Sequence, residues 1–341
     1  MRAMVLHGQA PIETQPLRCE DVPVPAPGDD ELLVRVRACG ICRTDLHVVE
    51  GDLPPVRKRI VPGHQVVGVV ESATAGGRFA RGDRVGIAWL RRTCGRCAYC
   101  VSARENLCER AEFTGWHADG GFAEFAVVPA AFAYAIPAIF GDVEAAPLLC
   151  AGIIGFRALE RAAVPAGGRL GLWGFGSSAH VTLQISRARG ARVYVLTREP
   201  SHRELAEALG AVWTGDLGDV PPEPLDSAIV FAPVGELVPV ALQRLARGGT
   251  LALAGIYMTP TPPLDTRAIS FTSGRCDRSR RTRGRTARRC SPKRRGSRCG
   301  SRPRRSRSPM PTARSARSSA ARLRAREFWY HDAPSARMVL P

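Results

Sequence analysis

Residues 167 to 190 read GGRLGLWGFGSSAHVTLQISRARG. A short apolar run from Leu170 to Trp173 enters a glycine-rich turn, and a helix-like stretch follows that closes at Gly190. Gly174, Gly176 and Ala179 form a G-x-G-x-x-A pattern inside it. The pattern is weak alone, but between a strand and a helix start it points to a dinucleotide. There the pyrophosphate sits where the first N–H groups of the helix have no intrahelical partner. The next strand-like run, ARVYVLT, ends at Thr197 and is followed by Arg198. A carboxylate usually ends this strand and takes the ribose hydroxyls. Its loss, with a cation beside it, favours the 2′-phosphate of NADP over NAD, the alternative being that Arg198 is a solvated surface charge. LDSAIVFAPVG and GGTLALAGI continue the β/α alternation. Residues 151 to 270 are therefore expected to form a Rossmann NAD(P)-binding domain around a parallel sheet.

The chain before it has a different rhythm. LLVRVRA (32 to 38) alternates as a half-buried strand does, and VVGVVES (66 to 72) and DRVGIAWL (83 to 90) read as further strands between glycine-rich turns. Residues 1 to 150 are expected to be an all-β domain whose loops carry chemistry, which gives an α/β chain with an all-β part. EAAPLLCAGIIGFRALERA reads as one helix leading into the second domain.

Cysteine usage locates that chemistry. Eight of the eleven cysteines precede residue 151, in clusters rather than scattered pairs, which in a reducing compartment reads as metal binding. Cys42 and His64, 22 residues apart, each stand on a turn beside an apolar strand-like run. They are two of the three protein ligands a catalytic zinc needs. Cys150 is the candidate third. Taken alone it is a small core residue, but it stands at the mouth of an apolar run and the pair needs a partner. Separately, TCGRCAYCVSARENLC sets Cys94, Cys97, Cys100 and Cys108 in a C-x2-C-x2-C-x7-C array. Four thiolates so spaced can close a tetrahedral structural zinc site, so two zinc ions per chain are expected.

Charge is divided as sharply. Residues 1 to 271 hold 27 Arg plus Lys against 28 Asp plus Glu, whereas residues 272 to 341 hold 22 against 3. The formal net charge of +18 is thus a property of the tail, and a nucleic-acid partner is expected only there. With no apolar run of membrane length and a start, MRAMVLHGQAPIE, that turns polar too soon for a signal peptide, the expected location is the cytoplasm.

GICRTDLH, GHQVVG, the four-cysteine lobe, LLCAGI and GFGSSA in this order resemble the zinc-dependent alcohol dehydrogenases of the medium-chain dehydrogenase/reductase superfamily, over residues 1 to about 270. The resemblance implies a GroES-like catalytic domain followed by the Rossmann domain. It implies reversible oxidation of a small alcohol to an aldehyde or ketone, with hydride passing to NAD(P), and a homo-oligomer. It makes Cys42, His64 and Cys150 the catalytic zinc ligands. Thr44 becomes the hydroxyl that bonds the substrate oxygen, His47 the base that relays its proton, and Trp89 a wall of the substrate pocket. Asp45 could orient His64 through its second nitrogen. Gln65 departs from the pattern, since the family more often has Glu after the zinc-binding histidine.

The resemblance ends near residues 268 to 275, and SGRCDRSRRTRGRTARRCSPKRRGSRCGSRPRRSRS follows. Residues 271 to 341 have almost no apolar periodicity and are expected to be disordered, leaving the Rossmann domain incomplete. One reading makes them an Arg-rich arm for nucleic acid or another polyanion. A better supported one makes them an out-of-frame translation. Joining each codon's third base to the next codon's first two, Glu327 to His331 become isoleucine or valine, leucine, valine, then serine or proline, which is strand-like. On that reading an inactive dehydrogenase remnant is also possible.

Overall fold

A computed structural model describes residues 1 to 264 and the backbone of two later segments, Arg275–Arg278 and Arg337–Val339. The chain divides into two compact units, one of Met1–Arg91, Phe113–Ala146 and Ser291–Pro341, the other of Arg92–Glu112 and Pro147–Cys290.

In the first unit β1 (Arg2–Leu6) pairs antiparallel with β2 (Leu17–Asp21). The strand β3 (Glu31–Gly40) is the spine. Its expected alternation is real: Leu32, Val34, Val36 and Ala38 are buried, while Arg35 and Arg37 face solvent. Helix α1 (Arg43–Glu50) follows at once, then β4 (Gln65–Ser72), β5 (Arg84–Ile87), β6 (Phe125–Pro129) and β7 (Tyr134–Ala135). The sheet runs β3-β4-β5-β7, with β6 also paired to β3. In the antiparallel β3–β4 ladder Gly40 lies opposite Gln65. That register brings the turn after β3 beside the turn before β4.

In the second unit the helices and strands alternate: α2 (Ala151–Ala162), β8 (Arg169–Trp173), α3 (Ser177–Ala188), β9 (Arg192–Leu196), α4 (Pro200–Ala208), β10 (Trp213–Gly215), β11 (Leu225–Val230), α5 (Leu237–Gln243) and β12 (Leu245–Leu253). With β13 (Arg275–Arg278) they make a six-stranded sheet, every pair parallel, in the order β10-β9-β8-β11-β12-β13. This is the doubly wound Rossmann order. Leu170, Leu172, Val193 and Val195 pack into one core with Ala179 and Leu183 of α3. Trp173, Tyr194, Leu196 and Leu251 pack into another with Val238 and Leu242 of α5. Burial on both faces explains why these strands read as apolar runs in the sequence.

One expectation needs correction. The run from Glu144 to Ala162 is not one helix: a short α-turn (Asp142–Ala145) gives way to a 3-10 turn (Ala146–Leu149), and Cys150 leaves helical geometry at φ −126°, ψ −75° before α2 starts. Pro147 lacks an N–H and crowds the preceding turn, so the helix restarts after it. In the tail, β13 and β14 (Arg337–Val339) are short strands, the latter parallel to β3 with Met338 opposite Cys39. Such strands need only backbone donors and acceptors, not an apolar pattern. The other residues of 271 to 341, the stretch expected to be disordered, lie outside the described residues.

Candidate metal centre and cofactor cradle

Cys42 is the N-cap of α1, and Asp45 stands at the third helical position. Its Oδ2 accepts a hydrogen bond from the Cys42 backbone N–H at 2.8 Å, one half of a capping box. Its Oδ1 lies 3.0 Å from Nδ1 of His64. A carboxylate can only accept, so Nδ1 carries a proton and Nε2 is turned to the Cys42 sulfur, 3.4 Å away. One buried carboxylate thus orders both expected ligands.

The electrostatics of this pocket favour a cation. His64 is wholly buried, and burial by itself would lower its pKa, yet Asp45 and Cys42 outweigh that and raise it to about 9. Burial pushes the Asp45 carboxyl up, against the pull of His64. The Asp45 carboxyl and the Cys42 sulfur thus favour positive charge between them. A zinc ion would meet the same demand with a neutral imidazole and a thiolate, and the donor set fits it. Cys39 is a thiol of another kind, since burial pushes its pKa well up and its sulfur lies 3.8 Å from the Gly40 carbonyl. Gln65, fully buried at the start of β4, adds no charge.

His47 is buried in the last turn of α1, and its Nδ1 lies 2.5 Å from Oδ2 of Asp52. Thr44 is buried one turn earlier. Trp89 meets His64 edge-on at 5.0 Å between centroids and stacks on Phe113 at 5.1 Å. Trp116 continues the stack, its plane 6° from that of Trp89. Asp52, Phe113 and Trp116 were not singled out from the sequence. A carboxylate five residues after a helical histidine, beyond a glycine, was the available signal for Asp52; the aromatic wall joins Trp89 to Phe113 and Trp116, more than twenty residues on, and left none.

In the second unit, the sulfurs of Cys94, Cys97, Cys100 and Cys108 lie within 4.8 Å of one another. The Cys97 N–H donates to the Cys94 sulfur at 3.4 Å, and the Cys94 N–H to the Cys108 sulfur at 3.5 Å. Backbone donors of Arg96 and Cys97 lower the Cys94 pKa to about 6, whereas burial, then shared protons, raise that of Cys100 to about 11. Four sulfurs held this close form a donor set that fits a tetrahedral zinc ion. Cys150 is buried at the N-cap of α2.

The glycine pattern occupies its expected turn. Gly174 leaves β8 at φ +83°, where a Cβ would meet Ala232 at 3.0 Å. Gly176 is the N-cap of α3, with nothing within 4 Å of the place its Cβ would fill, and Ala179 is buried against the sheet. An open helix N-terminus of this form fits a pyrophosphate. Thr197 is buried after β9 and Arg198 is exposed. Arg203 on α4, missed in the sequence, donates to the Thr197 carbonyl at 3.0 Å and brings a second cation to that strand end.

A family model, the alcohol dehydrogenase GroES-like domain, matches residues 28 to 138. The "Probable alcohol dehydrogenase AdhA" of Mycobacterium tuberculosis is 57% identical over 271 residues, 78% of each chain. This chain belongs to the zinc-dependent alcohol dehydrogenases of the medium-chain dehydrogenase/reductase superfamily. An alcohol dehydrogenase of Geobacillus stearothermophilus is 35% identical over 262 residues, 73% of this chain and 77% of its own. Among solved structures, a cinnamyl alcohol dehydrogenase of Sorghum bicolor superposes with TM-score 0.76 at 27% identity, covering 85% of each chain. A thermostable alcohol dehydrogenase of Pyrobaculum aerophilum with cobalt and zinc bound gives 0.77 at 26%, over 85% of this chain and 87% of its own. A Sinorhizobium meliloti protein described as a zinc-binding dehydrogenase and bound to NADP gives 0.75 at 30%, over 85% and 86%. The alcohol dehydrogenase fold thus pairs a GroES-like part with the Rossmann sheet, and the enzyme class is a zinc- and nicotinamide-dependent oxidoreductase.

Proposed function

We propose that this chain interconverts a small alcohol with its aldehyde or ketone through Cys42, His64 and Cys150 as holders of a catalytic zinc. The observation that carries this is the Asp45 carboxylate, bonded at once to the Cys42 amide and to His64, which sets a thiol and an imidazole nitrogen 3.4 Å apart. When bound, the zinc supplies a Lewis acid to the alcohol oxygen and the nicotinamide accepts hydride. The residues of the chain do the rest. Thr44 bonds the substrate oxygen and passes its proton on, His47 accepts it, and Trp89 excludes water beside His64. Gly174, Gly176 and Ala179 let the pyrophosphate approach the start of α3. Thr197 and Arg198, with Arg203 behind them, suit a 2′-phosphate, so NADP is the proposed cofactor over NAD. The four-cysteine lobe takes a second, structural zinc.

The working form is proposed as a cytoplasmic homo-oligomer; no helix among the described residues is long and apolar enough to cross a membrane. The deciding experiment follows NAD(P)H absorbance over a panel of primary alcohols and aldehydes, with this chain and with a frame-corrected one. Absence of turnover in the corrected chain would sink the proposal. A second reading rests on the 22 basic residues against 3 acidic ones after residue 271: the tail binds polyanions, and that binding is lost when residues 272 to 341 are removed.

A further inference from the structure

We infer that Asp52 is a positioning residue for the proton relay, holding His47 in the tautomer whose Nε2 can accept a proton. The inference rests on the proposed role of His47 and deepens it. Nδ1 of His47 and Oδ2 of Asp52 are 2.5 Å apart. The histidine side chain is 6% exposed and the carboxylate 49%, so the pair joins a buried ring to solvent. Because an ionised carboxylate has no proton to give, the bond fixes the ring proton on Nδ1 and leaves the Nε2 lone pair as the acceptor. When Nε2 takes a proton, the charge gained by the ring faces the carboxylate directly, which lowers the cost of the charged intermediate.

The turn that carries Asp52 is constructed for this contact. Gly51 ends α1 in the left-handed region at φ +97°, a conformation costly for any residue with a Cβ. It reverses the chain so that Asp52 returns over the last turn of the helix. The Leu53 N–H donates to the His47 carbonyl at 3.0 Å. Gln9, from another part of the unit, locks the same turn by donating Nε2 to the carbonyls of Val48 at 2.8 Å and Leu53 at 2.6 Å. Two independent clamps on one five-residue turn hold the carboxylate at bonding distance.

The test uses the full zinc-loaded chain labelled with 15N-histidine. Long-range 1H–15N imidazole spectra at about pH 8, with the His47 signals identified by their loss in His47→Gln, should show a protonated Nδ1 and a bare Nε2. Asp52→Ala should move the proton to Nε2 or average the two sites, with zinc content and circular dichroism unchanged, and Asp52→Glu should restore the original pattern. A wild-type ring protonated on Nε2, or an unaltered tautomer in Asp52→Ala, overturns the inference. With benzyl alcohol and either nicotinamide cofactor, Asp52→Ala should lower kcat about tenfold with KM within about twofold, and should have no further effect in a His47→Gln background. If His47→Gln leaves kcat intact, the relay role itself fails. If His47→Gln lowers kcat and Asp52→Ala does not, Asp52 alone is refuted.

Discussion

Asp45 and His64 form a fully buried pair, Oδ1 to Nδ1 3.0 Å, and the same carboxylate caps the helix that presents Cys42. Its removal should therefore be felt as loss of metal rather than loss of fold. Asp45→Asn is expected to weaken catalytic zinc about ten- to a hundredfold, with the lobe zinc retained. Metal analysis after dialysis against a mild chelator measures this; unchanged content would deny Asp45 its orienting role.

Cys42→Ala should abolish binding at the catalytic position and leave one zinc per chain. Cys108→Ser should instead strip the lobe and lower the melting temperature, because a structural metal contributes folding free energy directly. If either change removed both metals, the assignment of two separate sites would be wrong.

Stability should respond to acid through Arg169 and Asp226. The guanidinium donates to both carboxylate oxygens at 3.0 and 2.7 Å, and the Arg169 N–H adds a third bond at 2.8 Å, joining β8 to β11. These bonds, Arg169 foremost, hold the Asp226 carboxyl below its ordinary value. A depressed carboxyl contributes its stability above the unfolded pKa of about 3.9 and loses it as pH falls through the folded one. Asp226→Asn should thus cost about 1–2 kcal/mol in urea unfolding at neutral pH. The gap between the two proteins should close in strong acid; a gap independent of pH would refute the ion pair as its source.

Cofactor choice should turn on the strand end after β9. Replacing Thr197 with Asp puts a carboxylate where the 2′-phosphate would lie, and is expected to shift the NADP-to-NAD ratio of kcat/KM at least about tenfold toward NAD. An Arg198→Ala change should move it the same way, by less. No shift in either would return Arg198 to a solvated surface charge.

The tail has a test at the level of the gene. If a frame change lies near residues 267 to 274, the alternative frame is open and encodes strand-and-helix periodicity through the stretch now read as Glu327 to His331. Stop codons in that frame would leave a genuine basic arm. Binding to heparin should then fall steeply with salt.

The local patterns were legible in order along the chain. The G-x-G-x-x-A turn, the alternation of LLVRVRA and the spacing of the four lobe cysteines each concern residues close in sequence, where backbone geometry ties pattern to shape. They were enough for the Rossmann sheet and the β-rich first part, and they brought the clustered thiols forward as candidate metal ligands. Pro147 and Cys150 show where local reading failed, because apolar periodicity ran through a proline that the backbone could not carry as helix.

What the sequence by itself determined was which residue types were available for the chemistry; which of them work together was decided by tertiary structure. Cys42 and His64 meet because the β3–β4 register sets Gly40 opposite Gln65. Asp52 reaches His47 because Gly51 turns the chain back and Gln9, more than forty residues away, pins the turn. Trp116 stands parallel to Trp89 with its Nε1–H held by the Pro54 carbonyl at 2.9 Å, 62 residues away. Such pairings depend on long-range register and turn direction, which no short-range period encodes.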